Sequence, residues 1–364
     1  MNNYKLLTPG PLTTTSTVKE EMLLDRCTWD DDYKSITQKI RSQLLTFAGV
    51  DPAQYTAVLM QGSGTFAVES VLTSTIADED KLLIVSNGAY GERIVQMAGY
   101  IGLRFAEYRV SYDQQPDEAG IRSVLETDPD ISHIVMVHCE TTTGILNPLE
   151  MISRLAHEYD KTLIIDAMSS FGGIEMDVGG LGIDYLISSA NKCIQGVPGF
   201  GFVIAKTGKL AACKGIARSL SLDLFDQWKE MDKDGKWRYT SPTHVVAAFS
   251  KAMDELVQEG GVPARSRRYR DNNAMLREKL ARLGIHAYIS PDKQSPIITT
   301  FLFPNERFSF QDFYAYVKAR GYVIYPGKLT EVDTFRIGNI GEIHRQDIEQ
   351  LCEIIEEYMG VTAK

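Results

Sequence analysis

From about residue 55 the chain alternates between short apolar runs and segments whose apolar residues recur at helical spacing. The runs are YTAVLM (55–60), KLLIVS (81–86), LRFAEY (103–108), HIVMVH (133–138), TLIIDA (162–167), DYLISS (184–189) and GFVIA (201–205). Helix-period segments at 66–76, 90–100, 117–126 and 149–159 separate the first five. Strands that are apolar on both faces and alternate with helices predict an α/β fold, a mostly parallel sheet covered by helices. The last run follows its neighbour too closely for a helical crossover, so it is expected to be antiparallel. Before this region, LLTPGPLTTT reads as an extended arm, because Pro9 and Pro11 exclude regular helix. Helices are expected around 16–24 and 34–48.

Beyond the last run the pattern changes. Residues 214–242 read as a looser, charged stretch. A long helix follows over 243–259 and GGVPA breaks it. Then come a helix at 264–283, strands near 285–289 and 297–303, a helix at 309–319, strands near 322–325 and 334–337, and a helix at 345–358. This predicts a smaller C-terminal α/β domain. The expected division is an arm over 1–15, a large domain over 16–258 and a small one over 259–364, in keeping with 364 residues exceeding one core.

Composition narrows the function classes. A net charge of −10, from 38 basic against 48 acidic residues, argues against nonspecific nucleic-acid binding. The one basic cluster, ARSRRYR at 264–270, reads as the solvated face of a helix. Five widely spaced cysteines without C-x-x-C suggest neither a disulfide framework nor a zinc site, and fit a reducing, cytoplasmic setting. No metal centre is expected. The opening MNNYKLLTPGPL lacks the apolar core of a signal peptide, and no apolar run reaches membrane-spanning length.

Candidate chemistry gathers at strand ends, where α/β sheets bind ligands. Asp166 ends TLIIDA. Lys192 lies in SSANKCIQGVPGFGFVIA, held in a Gly/Pro turn between two apolar runs. A strand-end carboxylate and a lysine in a tight turn are what a pyridoxal phosphate enzyme needs: an amine for the Schiff base and an acid that keeps the ring nitrogen protonated. Singly, Asp166 could be a helix cap and Lys192 a surface ion-pair partner. GSGT at 62–65 sits between a strand and a helix, where freed amides and hydroxyls bind phosphate; a plain strand–helix turn has the same text. GSGTFA also satisfies a dinucleotide fingerprint, but the next strand ends in Asn87-Gly88 and lacks the required acid. Tyr90 can stack on a flat ring or simply pack in the core. HCETTTG at 138–144 offers hydroxyls, and His138 reads as a hydrogen-bonded structural residue. Arg336 in FRIGNIGE can pair with a substrate carboxylate, or with a structural acid.

Together these residues resemble the class V aminotransferases, a group of fold-type I pyridoxal phosphate enzymes. The most specific text is CTWDDDY, LMQGSGTFAVE, VSNGAYGER, VHCETTTGILNP, IIDAMSSFGGIEMD, SSANKCIQGVPGF, GKWRYTSPTH and FRIGNIGE. It resembles the branch that moves an amino group from 2-aminoethylphosphonate to pyruvate. The resemblance implies Lys192 as the Schiff-base lysine and Asp166 as the ring-nitrogen partner. It implies Ser63, Gly64 and Thr65 as the phosphate turn, Tyr90 as the stacking aromatic, Thr141 beside the ring oxygen and Asn191 near the phosphate. Thr240 would reach the phosphate from a second subunit, so the resemblance also implies a homodimer with shared sites. Arg336 would hold the substrate carboxylate. Apart from the resemblance, the 214–240 loop, including Arg218, is where additional phosphonate contacts are expected. Alanine–glyoxylate or serine–pyruvate transamination is the alternative within the fold. A cysteine desulfurase, a nucleotide-binding module and a catalytically silent cofactor-binding protein are more distant ones.

Overall fold

The computed structural model describes residues 4–329 and 331–362. Residues 1–3 of the expected arm, and 330, 363 and 364 of the expected small domain, lie outside the described residues. All seven expected runs are strands of one sheet: β1 (Tyr55–Gln61), β2 (Leu82–Ser86), β3 (Phe105–Arg109), β4 (His133–Val137), β5 (Thr162–Asp166), β6 (Tyr185–Ser189) and β7 (Phe200–Lys206). Their order is β1-β7-β6-β5-β4-β2-β3. Every pair is parallel except those made by β7, which runs antiparallel to both β1 and β6.

Alternation along each strand splits its side chains between two cores. Leu59, Leu83, Met136, Ile165, Leu186 and Phe202 enter one cluster. Val58, Ile84, Val135, Ile164, Ile187 and Val203 enter the other. Period-2 alternation therefore places apolar residues on both faces, and helices cover both. Helices at Gly64–Thr75, Ala89–Ile101, Glu118–Thr127 and Leu149–Glu158 connect the first five strands, as the helical spacing predicts.

A second sheet has β8 (Ile298–Leu302), β9 (Tyr325–Pro326) and β10 (Thr334–Gly338), with β10 in the middle. It packs with the helices Gly261–Arg282, Phe310–Ala319 and Arg345–Thr362 around a third core. The arm joins this core. Lys5–Leu6 pairs in parallel with Tyr322–Val323, and Leu7 is buried among these helices and strands.

Three expectations change. Residues 285–289 form no strand but one bridge, Ala287 to Phe301, bounded by Gly284 with φ 77° and by Pro291. The expected strand 322–325 splits, because its halves pair with different partners, the arm and β10. The looser stretch contains the helix Leu224–Asp234, capped by the Asp223 side chain and ended by Gly235 in the left-handed region.

Phe335 of β10 lies 5.6 Å from Phe301, 5.7 Å from Phe308 and 5.2 Å from Phe313, ring centre to ring centre. Phe335→Ala is expected to cost about 3–5 kcal/mol in urea unfolding. An unchanged midpoint would contradict the central place of this ring.

Candidate active site

The turn after β6 is built to hold Lys192. The Gln195 N–H donates to the Lys192 carbonyl at 2.7 Å and the Gly196 N–H to the Ala190 carbonyl at 2.9 Å. Gln195 takes φ 69°, a costly conformation for a residue with a Cβ. Its side-chain amide is anchored at 2.7 Å on both Tyr269 Oη and the Gly341 carbonyl. Arg265 donates to the Cys193 carbonyl at 2.7 Å. From this fixed turn the Lys192 ammonium reaches the arm and donates to the Pro9 carbonyl at 2.7 Å. Gly10 beside it has φ 112°, and a Cβ there would stand 2.9 Å from Lys192 Nζ. Only glycine fits.

Asp166 ends β5 and is buried; its Oδ1 accepts the Met168 N–H at 2.9 Å. Ser63 is the N-cap residue of the helix Gly64–Thr75, but its hydroxyl does not cap it. The hydroxyl and the Gly64 and Thr65 amides thus remain free for an anion, while the Phe66 N–H already donates to the Ser63 carbonyl at 3.0 Å. A Cβ on Gly64 would come 2.4 Å from Met168 Sδ, so a larger residue there would have to displace the Met168 side chain. Ser63, Gly64, Thr65, Tyr90, Asp166, Asn191 and Lys192 all line one cavity of about 190 Å³.

Two further expected residues adjoin it through Tyr90. The Thr141 side chain stands near the Tyr90 phenol and helps hold its pKa down. The Thr141 carbonyl accepts from Arg336 Nη1 at 3.0 Å, while Arg336 Nε donates to the Pro326 carbonyl at 3.0 Å. Arg336 is interior to β10 rather than at its end. Thr240 is exposed and is not brought to this cavity by its own chain. Arg218 is bound to the Ile76 carbonyl and to Asp78, away from the cavity.

The family model for class V aminotransferases matches residues 28–338. The chain belongs to this family. It is 65% identical over 361 residues to the 2-aminoethylphosphonate–pyruvate transaminase of Lysinibacillus sphaericus, covering 99% of each chain. It is 55% identical over 357 residues to the enzyme of that name from Bacillus cytotoxicus, covering 98% of each. Among solved structures, pyridoxamine–pyruvate aminotransferase from Mesorhizobium loti superimposes with a TM-score of 0.91 over 100% of this chain and 94% of that one. Their identity is 20%, so this likeness concerns the fold.

In this class V aminotransferase, burial shapes the electrostatics. Desolvation lowers the Lys192 pKa, against the pull of Tyr90, Cys193 and Asp166. Burial pushes Asp166 up to about 6, with the Glu140 charge adding to it and the Met168 N–H, Lys192 and Arg93 opposing. Burial alone would raise the Tyr90 phenol, but Lys192, Lys328 and the neighbouring Thr141 hydroxyl outweigh it and hold it below its usual value. His138 is buried, bonded at 2.9 Å to Ser170 Oγ and held neutral, its pKa lowered by burial to about 4. Its structural reading stands.

The sequence reading missed several neighbours. Arg93 lines the cavity, lies 4.9 Å over the Tyr90 ring and donates to Thr65 Oγ1 at 3.5 Å. Its signal was a cation one helical turn after Tyr90. The solvated-face reading of ARSRRYR holds for Arg267 and Arg270, which are exposed, and fails for Arg265 and Arg268: Arg265 is 2% exposed, and both bind Glu259. Nothing local in the text distinguishes these arginines from solvated ones.

A carboxyl whose folded pKa lies above its unfolded value binds more protons folded than unfolded between the two. Asp166 therefore destabilises the cofactor-free protein as pH rises from about 4 to about 6. His138 acts with opposite sign in that window but cancels in a comparison that retains it. The stability advantage of Asp166→Asn over wild type is expected to grow across the window to about 3 kcal/mol and then level off. A pH-independent difference in urea midpoints would remove the buried-acid assignment.

Proposed function

We propose that this protein is a pyridoxal phosphate-dependent transaminase that converts 2-aminoethylphosphonate and pyruvate to phosphonoacetaldehyde and L-alanine. The observation that carries this reading is a half-buried lysine amine, bonded to the Pro9 carbonyl and sharing one cavity with a strand-end carboxyl and an uncapped helix N-terminus. The 65% identity to a transaminase of that name supports the substrate.

The donor set suits the cofactor. Ser63, Thr65 and the amides of Gly64 and Thr65 would take its phosphate, with Asn191 at the same wall. Tyr90 would stack on the ring, Thr141 would stand by the ring oxygen and Asp166 would hold the ring nitrogen. When bound, pyridoxal phosphate supplies an electron sink for the carbon–hydrogen bond that breaks. Lys192, with its pKa lowered, is able to act as a neutral amine. Its Nζ would take the proton from the substrate carbon that bears nitrogen and return it to the cofactor side.

Arg336 would hold the pyruvate carboxylate. The phosphonate lies at the far end of a two-carbon chain and calls for a separate cation. Lys328, on the β9–β10 connection and 4.6 Å over the Tyr90 ring, is the candidate in place of Arg218. The protein would work in the cytoplasm as a homodimer with Thr240 entering the partner's site. Exposed Phe66 and Tyr239 support that arrangement: they line one hollow of about 410 Å³ beside the phosphate turn.

Adding 2-aminoethylphosphonate without pyruvate to the yellow protein is expected to convert its visible absorbance to that of the pyridoxamine form. Lys192→Ala is expected to abolish turnover. A response to serine or alanine but not to the phosphonate would favour the alternative transaminases. Arg336→Ala is expected to raise the KM for pyruvate about 10- to 100-fold, the weight of a charged hydrogen bond. Lys328→Ala is expected to raise chiefly the KM for 2-aminoethylphosphonate. Equal effects of both changes on both substrates would sink the division of roles.

A further inference from the structure

Glu140 has no part in the reading above, yet it is the most enclosed acid beside the site, with 0% exposure. It lies on the short hairpin strand Cys139–Glu140, which pairs with Ile145–Leu146 just past the end of β4. Its Oε2 accepts the N–H groups of Tyr90 at 3.0 Å and Gly91 at 3.3 Å. Its Oε1 accepts the Thr142 N–H at 3.0 Å and the Thr142 hydroxyl at 2.6 Å. That hydroxyl itself accepts the Ala89 N–H at 3.1 Å, so its single hydrogen is committed to Glu140. All four contacts donate to the carboxyl. A protonated acid would find no acceptor among them, so the site is built for the carboxylate although burial works against it.

The carboxylate sits at the N-terminus of the helix Ala89–Ile101, where the first amides lack partners within the helix. The space is exclusive: a Cβ on Gly88 would come within 2.3 Å of Glu140 Cδ. An N-terminal cap alone would make Glu140 a stability element. The neighbouring residues give it more to do. The Thr141 side chain stands near the Tyr90 phenol, and the Thr141 carbonyl accepts from Arg336 Nη1. The Thr142 carbonyl accepts from Thr300 Oγ1 at 3.4 Å, on the second sheet. One three-residue segment thus holds the Tyr90 amide through Glu140 and the guanidinium of Arg336 through Thr141, and Glu140 fixes that segment to the helix.

We propose that Glu140 is a positioning residue that sets Tyr90 and Arg336 at a fixed separation, coupling the cofactor wall of the site to the substrate-carboxylate wall. This rests on the functional reading above. Glu140→Gln keeps the size and removes one acceptor oxygen and the charge. In absorbance titrations of the cofactor-free protein, it is expected to weaken pyridoxal phosphate binding about tenfold, one charge-assisted bond's worth. In the holoenzyme it is expected to raise the KM for pyruvate by a similar factor, with a smaller change in kcat. Combined with Arg336→Ala, the KM effect should be clearly less than the product of the two single effects, because both act through the same guanidinium. If Glu140→Gln fails to fold, Thr142→Val serves: it keeps the carboxylate and removes the bridging hydroxyl, and the same shifts are expected at smaller size. Either folded variant with wild-type cofactor affinity and KM, differing only in thermal stability, would reduce Glu140 to a helix cap and overturn the proposal. A wild-type protein that takes no cofactor would remove the functional reading and this one with it. A wild type that binds and turns over beside an unaltered Glu140→Gln removes only this one.

Discussion

Holding a half-buried lysine amine beside a buried carboxyl is the constraint on which the rest of this site depends. A buried, unpaired ammonium costs several kcal/mol, so the amine shifts toward neutrality unless partners hold its proton. Lys192 has such partners in measured supply: one carbonyl from Pro9 and the charges of Tyr90 and Asp166. Asp166 is under the mirror-image pressure, since burial favours its neutral form while Lys192 and Arg93 favour its charged one. Burial thus works against the charged form of each group, and its partners work for it. Most of the surrounding architecture, from the strained Gln195 to buried Arg265, serves to keep these two where water cannot settle the matter.

The two sheets meet at this point. Arg336 lies on the middle strand of the smaller sheet, flanked by β8 and β9, so its backbone is fixed from both sides. Its guanidinium crosses to the Thr141 carbonyl, beyond the carboxyl end of β4 of the larger sheet. The same crossing is made nearby by Thr300 to the Thr142 carbonyl. A substrate held between Lys192 and Arg336 is thus held between two separately packed cores, and the loop 140–142 is the surface along which those cores keep register.

What could be read from the text follows from range. The seven strands were legible because each is a local apolar run, and the antiparallel β7 because a short connection allows nothing else. Asp166, Lys192 and the 62–65 turn were legible because strand ends and glycines mark them locally. Arg265 was not, since its partner Cys193 is far away in sequence and a cluster of arginines on a helix reads as solvated. Glu140 was hidden for a related reason: HCETTTG advertises its hydroxyls, while the acid's partners, Tyr90 and Gly91, come from another strand end. The helix 224–234 escaped because its apolar face is interrupted by charge, and its Asp223 cap was lost among other acids. The roles of Lys192 and its neighbours came from the family resemblance, which local text alone could not supply.

The arm carries a consequence in time rather than space. Residues 5–7 are synthesised long before their partners, for Lys5 and Leu7 bond to the backbone of Gly321 and Val323, and Gly338 bonds back to Leu7. Pro9 and Gly10, which close over Lys192, follow directly on this segment. The large sheet can assemble as it leaves the ribosome, because its strands are nearly consecutive. The lid over the lysine must wait until residues 321–338 have emerged. A copy that has not yet reached them holds its amine uncovered, however complete its large sheet.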